Sequence, residues 1–162
     1  MINIVFLGRG GEGAKTTAIL LAKAAINDGK YAQAFPEYGP ERRGAPVKAF
    51  VRISEKEIRT HSPIEKADIY IIMNKSLLKE IYKNSLYIVN SKTSIDSLEN
   101  HYFIDATNIS QKILGSNKPG IALLGALIKK TGIVTLDSMK EILIHSFGEK
   151  NVEMLMEGYN SL

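Results

Sequence analysis

Six residues near the start of the chain, Gly8-Arg9-Gly10-Gly11-Glu12-Gly13, constrain its fold more than any other stretch. They follow an apolar run from Ile2 to Leu7 and precede an alanine-rich stretch from Ala14 to Ile26. Strand, glycine turn and helix in that order form the opening unit of an α/β nucleotide-binding fold. Side chains at the glycines would block the tight turn and hold an anion away from the backbone. The helix start beyond the turn offers N–H groups and a positive dipole end, which together suit an anion.

The remaining pattern extends this unit into a sheet flanked by helices. Ile4 to Leu7 reads as a buried first strand, and the helix from Ala14 to Ile26 is apolar on nearly every side, so it should be largely buried. Asn27-Asp28-Gly29 ends that helix with turn chemistry, and Tyr31 to Phe35 forms a second strand. From Pro36 to Pro46 there are three prolines and two glycines in eleven residues, which excludes a helix or strand interior. Val47 to Ile53 alternates like a half-exposed strand. Parallel neighbours need a long crossover, so a helix-free connection predicts that the Tyr31 and Val47 strands pair antiparallel. Further strands are expected at Ala67 to Met73, Leu86 to Asn90 and Tyr102 to Ile104, with a short helix from Ser76 to Lys83.

The C-terminal third is helical. Pro119 suits a first turn, Lys129 and Lys130 a last turn, and Gly132 a stop. Thr135 caps the next helix with Asp137 in its first turn, and Leu136, Met139, Ile142, Leu143 and Phe147 share one face. Glu153 to Tyr159 gives a final short helix. The whole predicts one domain, residues 1–162, of α/β class: a three-layer α/β/α Rossmann-like sandwich around a mixed, mostly parallel sheet.

Composition excludes several functions. Hydrophobic residues make up 44% and charged residues 23%, as in soluble globular proteins. No apolar stretch approaches the roughly 20 residues that span a bilayer, and the chain opens on a strand rather than a secretory leader. The cytoplasm, with no membrane contact, is the expected setting. There is no cysteine, so this chain holds no disulfide, thiolate nucleophile or cysteine-ligated iron–sulfur cluster. The net charge of +4 comes from scattered lysines, and no nucleic-acid partner is expected. His61, His101 and His145 lack metal-ligand spacing and read as surface or packing residues, so no metal site is expected. Asp68 and Asp105 lie beside strands and read as turn or cap residues. No serine nucleophile elbow is present, and no catalytic residue is assigned.

The glycine loop admits three readings. Gly8, Gly10 and Gly13 satisfy the dinucleotide fingerprint, but the acid it requires after the second strand is Glu37, displaced beyond Pro36, and no hydride-transfer site follows. A P-loop would need lysine directly after Gly13. Ala14 intervenes, and one inserted residue rotates a helix by about 100°, turning Lys15 away from the phosphates. No Walker-type acid ends the fourth strand, where Asn74 follows Met73. The third reading is an anion-binding or interface loop, with Arg9 and Lys15 adding positive charge and Glu12 subtracting it.

A second dense signal lies between Ala34 and Phe50, where Arg42 and Arg43 sit in a proline-braced loop. Between Lys30 and Arg52 there are five basic and two acidic residues. Arginine forks match carboxylates and phosphates, and stiff loops often bind partners. Both loops leave the C-terminal ends of strands and should converge on the sheet edge where such folds bind ligands.

Three segments carry a family resemblance: Gly8 to Gly13, Asp28-Gly29-Lys30-Tyr31-Ala32-Gln33-Ala34-Phe35-Pro36, and Tyr38 to Ile53 with its Tyr38-Gly39-Pro40-Glu41-Arg42-Arg43-Gly44-Ala45-Pro46 core. With Ala67-Asp68 and Leu124-Gly125-Ala126-Leu127 they resemble the gamma subunit of the pyruvate:ferredoxin oxidoreductase family. One position departs from the pattern: the family usually has Gln where this chain has Glu12, and a carboxylate there would disfavour a bound phosphate or change a hydrogen bond. The resemblance implies a cytoplasmic heterotetramer of alpha, beta, gamma and delta subunits that cleaves pyruvate with thiamine diphosphate and Mg2+. Electrons pass through [4Fe-4S] clusters to ferredoxin, and coenzyme A (CoA) takes up the acetyl group. It further implies that the other subunits hold those cofactors and that this chain alone binds none. Gly8, Arg9, Gly10, Gly11, Glu12, Gly13, Arg42 and Arg43 then become candidates for a CoA or subunit contact. A related 2-oxoacid enzyme, such as one for 2-oxoisovalerate, could use a similar subunit. The alternative from another class is a stand-alone nucleotide-binding regulator.

Overall fold

A computed structural model describes residues 1–37, 44–79 and 82–162. Its elements follow the order β1 (Ile2–Arg9), α1 (Ala14–Asn27), β2 (Tyr31–Pro36), β3 (Pro46–Ser54), β4 (Ile69–Ile72), β5 (Leu86–Asn90), β6 (His101–Ile104), α2 (Ala106–Leu114), α3 (Gly120–Thr131), α4 (Leu136–Phe147) and α5 (Glu149–Asn160). The six strands form one sheet in the order β2-β3-β1-β4-β5-β6. β3 runs antiparallel to both neighbours, with Tyr31 opposite Ser54 and Ile2 opposite Ile53, while β1, β4, β5 and β6 are mutually parallel. The sheet is therefore mixed and mostly parallel, and the antiparallel Tyr31 and Val47 strands are as expected.

Alternation along the strands divides the core between two faces. Ile4 and Phe6 of β1 point into a cluster with Leu21 of α1, Leu123, Leu124 and Leu127 of α3, Leu143 of α4 and Leu155 of α5. Val5 joins Phe50, Tyr70, Ile72, Tyr87, Val89 and Leu98 on the opposite face. Ala106 of α2 joins them, so all five α-helices of the described residues belong to the first cluster. α3 can sit innermost because Ala122 to Ile128 is an unbroken run of buried small and aliphatic residues.

The expected helical layer on the second face is a correction. Among the described residues that face is covered by loops, which contribute Ile64, Leu78, Tyr82 and Ile95. The helix expected from Ser76 to Lys83 is a single 3₁₀ turn, Lys75–Leu77, started by Asn74, and at Leu78 the chain leaves it with ψ 88°. Glu80 and Ile81 lie outside the described residues. Two further differences concern the C-terminal third. α2 had no counterpart in the expectation, although Asp105 caps it through Asn108 N–H (3.1 Å) and Gly115 stops it. α5 begins at Glu149, four residues earlier than the expected start, because Gly148 separates it from α4.

The capping expectations hold. The Thr135 hydroxyl accepts from Ser138 N–H at 3.2 Å, and Gly132 ends α3 in the left-handed region. Asp68 accepts from Asn3 N–H at 2.7 Å, fixing the turn that enters β4. On α4, Met139 and Leu143 are buried, whereas Phe147, at the far end of the expected face, is half exposed and lines a cleft.

Candidate functional site

The glycine loop sits on the crest formed by the C-terminal ends of β1 and β4. Gly8 is buried, and a Cβ there would stand 3.1 Å from Met73 Sδ and 3.3 Å from Glu12 Oε2. Gly11 and Gly13 adopt φ of +96° and +90°, which favour glycine over other residues. Gly13 starts α1 without a side-chain cap, and its carbonyl accepts from Thr17 N–H and O–H.

Much of the loop's polarity is used internally. Arg9 N–H donates to Glu12 Oε2 at 2.6 Å, Gly10 N–H to Ala45 O at 2.8 Å, and Glu12 N–H to Arg9 O at 3.0 Å. Glu12 is only 9% exposed: its carboxylate folds beneath the loop and also accepts from Asn74 Nδ2 at 3.1 Å. The Arg9 guanidinium donates to Gly44 O (3.1 Å) and to Ser76 Oγ (2.9 Å). A dinucleotide loop turns such N–H groups outward to a pyrophosphate. Here three of them, and the Glu12 charge, face inward.

The expected convergence of two loops is seen at the roots of the second. Gly44 N–H donates to Gly10 O at 3.2 Å, so the segment entering β3 lies against the glycine loop. Arg42 and Arg43, with the rest of 38–43, lie outside the described residues. Glu37, the displaced candidate for a ribose contact, is instead 3.7 Å from Lys48 Nζ.

The loop forms one wall of an open cleft of about 980 Å³. Leu20, Leu114, Ile121, Phe147 and Met154 line its apolar part, and Arg9, Lys15, Ser116, Lys118 and Asn151 add polar groups. The contributions of α2, α5 and the α2–α3 connection were not visible in the sequence, because no local motif marks them. Asn74 and Ser76 were missed as partners of the loop for the same reason. His101 opens β6, with Nε2 3.0 Å from Ser94 Oγ and 3.2 Å from Ile95 N, and His61 and His145 are exposed.

A mixed α/β sheet with a self-bonded glycine loop, beside a cleft with apolar and basic walls, defines the class: a Rossmann-like α/β domain. Comparison with known proteins gives the family. The model for "Pyruvate ferredoxin/flavodoxin oxidoreductase" matches residues 3–161. The chain is 41% identical to pyruvate synthase subunit PorC of Methanocaldococcus jannaschii, over 100% of this chain and 97% of that one. It is 40% identical to the pyruvate/ketoisovalerate oxidoreductases common subunit gamma of Thermococcus kodakarensis, over 99% and 96% of the two chains. The crystal structure of pyruvate oxidoreductase subunit PORC from Thermotoga maritima superposes with a TM-score of 0.84 at 30% identity, covering 98% of this chain and 95% of that one. The chain belongs to the pyruvate ferredoxin/flavodoxin oxidoreductase family.

Proposed function

We propose that this chain is the gamma subunit of a pyruvate:ferredoxin oxidoreductase complex, which converts pyruvate, CoA and oxidised ferredoxin into acetyl-CoA, carbon dioxide and reduced ferredoxin. The observation that carries this is similarity over nearly the whole length, at 41% identity, to a chain named as a subunit of that enzyme. Residues 1–162 act as one gamma-type domain within a cytoplasmic assembly with alpha, beta and delta chains. Thiamine diphosphate, Mg2+ and [4Fe-4S] clusters reside in those chains, and ferredoxin is met through the assembly. A chain without cysteine fits this division of labour. The T. kodakarensis relative is named for both pyruvate and ketoisovalerate enzymes, so we assign the choice of 2-oxoacid to the chains around thiamine diphosphate. The stand-alone regulator is not favoured.

Within the complex, the Gly8–Gly13 loop, Arg42 and Arg43 contact companion subunits and line the approach of CoA. The support is the hydrogen bond from Gly44 N–H to Gly10 O, at the root of the second loop, and the apolar and basic cleft beside the first. The test is co-expression with the companion genes and assay of pyruvate-dependent ferredoxin reduction. A chain that co-purifies with no thiamine diphosphate-binding partner would overturn the assignment. R42A/R43A should lower the assembled fraction or raise the KM for CoA several-fold with kcat retained; wild-type values for both would remove the two arginines from the contact.

A further inference from the structure

The geometry points to Glu12 and Asn74 as a polarity-matched positioning pair that sets the glycine loop from inside, so that the loop carries its own anion rather than awaiting a bound one. Its relevance to CoA and subunit contact rests on the function proposed above; the pairing itself rests on the hydrogen bonds.

Those bonds form a closed ring of two arms, both running from donors on Arg9 to the carboxylate of Glu12. The Arg9 guanidinium donates to Ser76 Oγ at 2.9 Å, and the Ser76 hydroxyl donates to Asn74 Oδ1 at 2.7 Å. The Asn74 amide donates from Nδ2 to Glu12 Oε1 at 3.1 Å. The other carboxylate oxygen of Glu12 accepts from the backbone N–H of Arg9 at 2.6 Å, which closes the ring on the residue where it began. Ser76 N–H also donates to Asn74 Oδ1, at 3.2 Å. Two donors on Oδ1 leave only the amide nitrogen for Glu12, so the orientation of Asn74 follows from its partners. In the arm through Ser76 and Asn74 every link runs donor to acceptor, from a guanidinium to a carboxylate, the arrangement in which linked hydrogen bonds reinforce one another.

The ring joins the end of β1 to the turn after β4, 62 residues later. The second contact of Arg9, to Gly44 O at 3.1 Å, extends it to the start of β3. A residue at position 12 must therefore accept from Arg9 N–H and also face the donor of Asn74. Glutamate does both. An amide at position 12 can keep its oxygen on Arg9 N–H, but its nitrogen then meets the Asn74 nitrogen, donor against donor. A carboxylate at position 74 facing Glu12 sets two acceptors of like charge against each other in a buried place. Changing both restores the match: the new amide donates to the new carboxylate, which keeps its two bonds from Ser76. By the same logic, relatives with Gln at position 12 should carry an acid at position 74, and a prevailing Gln–Asn combination would count against the pairing.

The test is a double-mutant cycle in the full chain. Hydrogen exchange at the Arg9 amide should quicken roughly ten-fold in E12Q and in N74D, the loss expected for a charge-assisted bond, and return to near the wild-type rate in E12Q/N74D. Wild-type exchange in both single variants, or a double variant no slower than the faster single, would overturn the proposal. In the reconstituted complex the single variants should raise the KM for CoA or reduce assembly while kcat is kept, and the double variant should recover. Recovery of exchange without any change in KM or assembly would overturn the functional part alone. A wild-type complex that fails to oxidise pyruvate would instead refute the function proposed above and leave the exchange cycle to decide the pair.

Discussion

Asp28 closes one helix and opens another. It lies at the C-terminal end of α1, and its carboxylate accepts from the N–H and hydroxyl of Thr135, both at 2.6 Å, and from the hydroxyl of Ser138. Burial pushes its pKa upward, but the hydrogen bonds from Ser138 and Thr135, with the nearby Lys30 charge, outweigh that and hold it below its ordinary 3.8. The native state thus binds this proton more weakly than the unfolded chain. The carboxylate's contribution is fully present above the ordinary carboxylate range and is lost as pH falls through the native value. D28N should lower stability by about 1 kcal/mol at neutral pH, since the carboxylate is only half-buried and solvent screens part of its charge. Its melting temperature should also fall less than that of the wild type between about pH 5 and about pH 3; parallel melting curves would refute this. At this scale the sequence reveals little beyond local chemistry. The glycines announce a turn at once, but Glu12 and Asp28 find their partners 62 and 107 residues away, and no local pattern encodes such pairings.

The crossing of α3 and α5 depends on two glycines. A Cβ on Gly158 would come within 1.9 Å of Ala122 O, and one on Gly125 within 2.1 Å of Leu155 O. Both obstacles are backbone atoms, so neither can swing aside. G158A should cost about 2–3 kcal/mol or more, as overpacking of a closed interface does. For a chain of this length that is a fall of about 5–10 °C in melting temperature; a calorimetric scan showing an unchanged midpoint would mean that the helices can separate without penalty. The strands were legible because each is a short apolar run between turn residues. α2 was not: Asn108, Ser110 and Gln111 interrupt its nine residues, and its apolar positions pack against the core only once α3 and α5 are in place. The expected helix at Ser76 failed because Asn74 starts only one turn, and Asn84, at φ +70°, belongs to a turn rather than a helix.

Among the described residues every α-helix belongs to one cluster, so the sheet has two unlike faces, one armoured by helices and one covered by loops. Pattern reading anticipated the mixed sheet, because a proline-rich connection has no helix with which to cross over. It overestimated the third layer, because segments rich in Pro, Asn and Ser can cover a sheet without forming helices. The inward-facing loop sets an expectation for the entire chain. Isothermal titration with NAD or ATP should detect no binding tighter than about 1 mM, because Arg9, Gly10 and Glu12 have already spent their N–H donors. Saturable heat at micromolar nucleotide would contradict that.

The strand order also bears on synthesis. β1 lies between β3 and β4, so the first strand to leave the ribosome must wait for two later strands before it is flanked on both sides. It waits for β3, complete at Ser54, and then for β4, complete at Ile72. At ordinary elongation rates an apolar strand remains open-sided for on the order of several seconds, long enough to attract a chaperone or a neighbouring nascent chain.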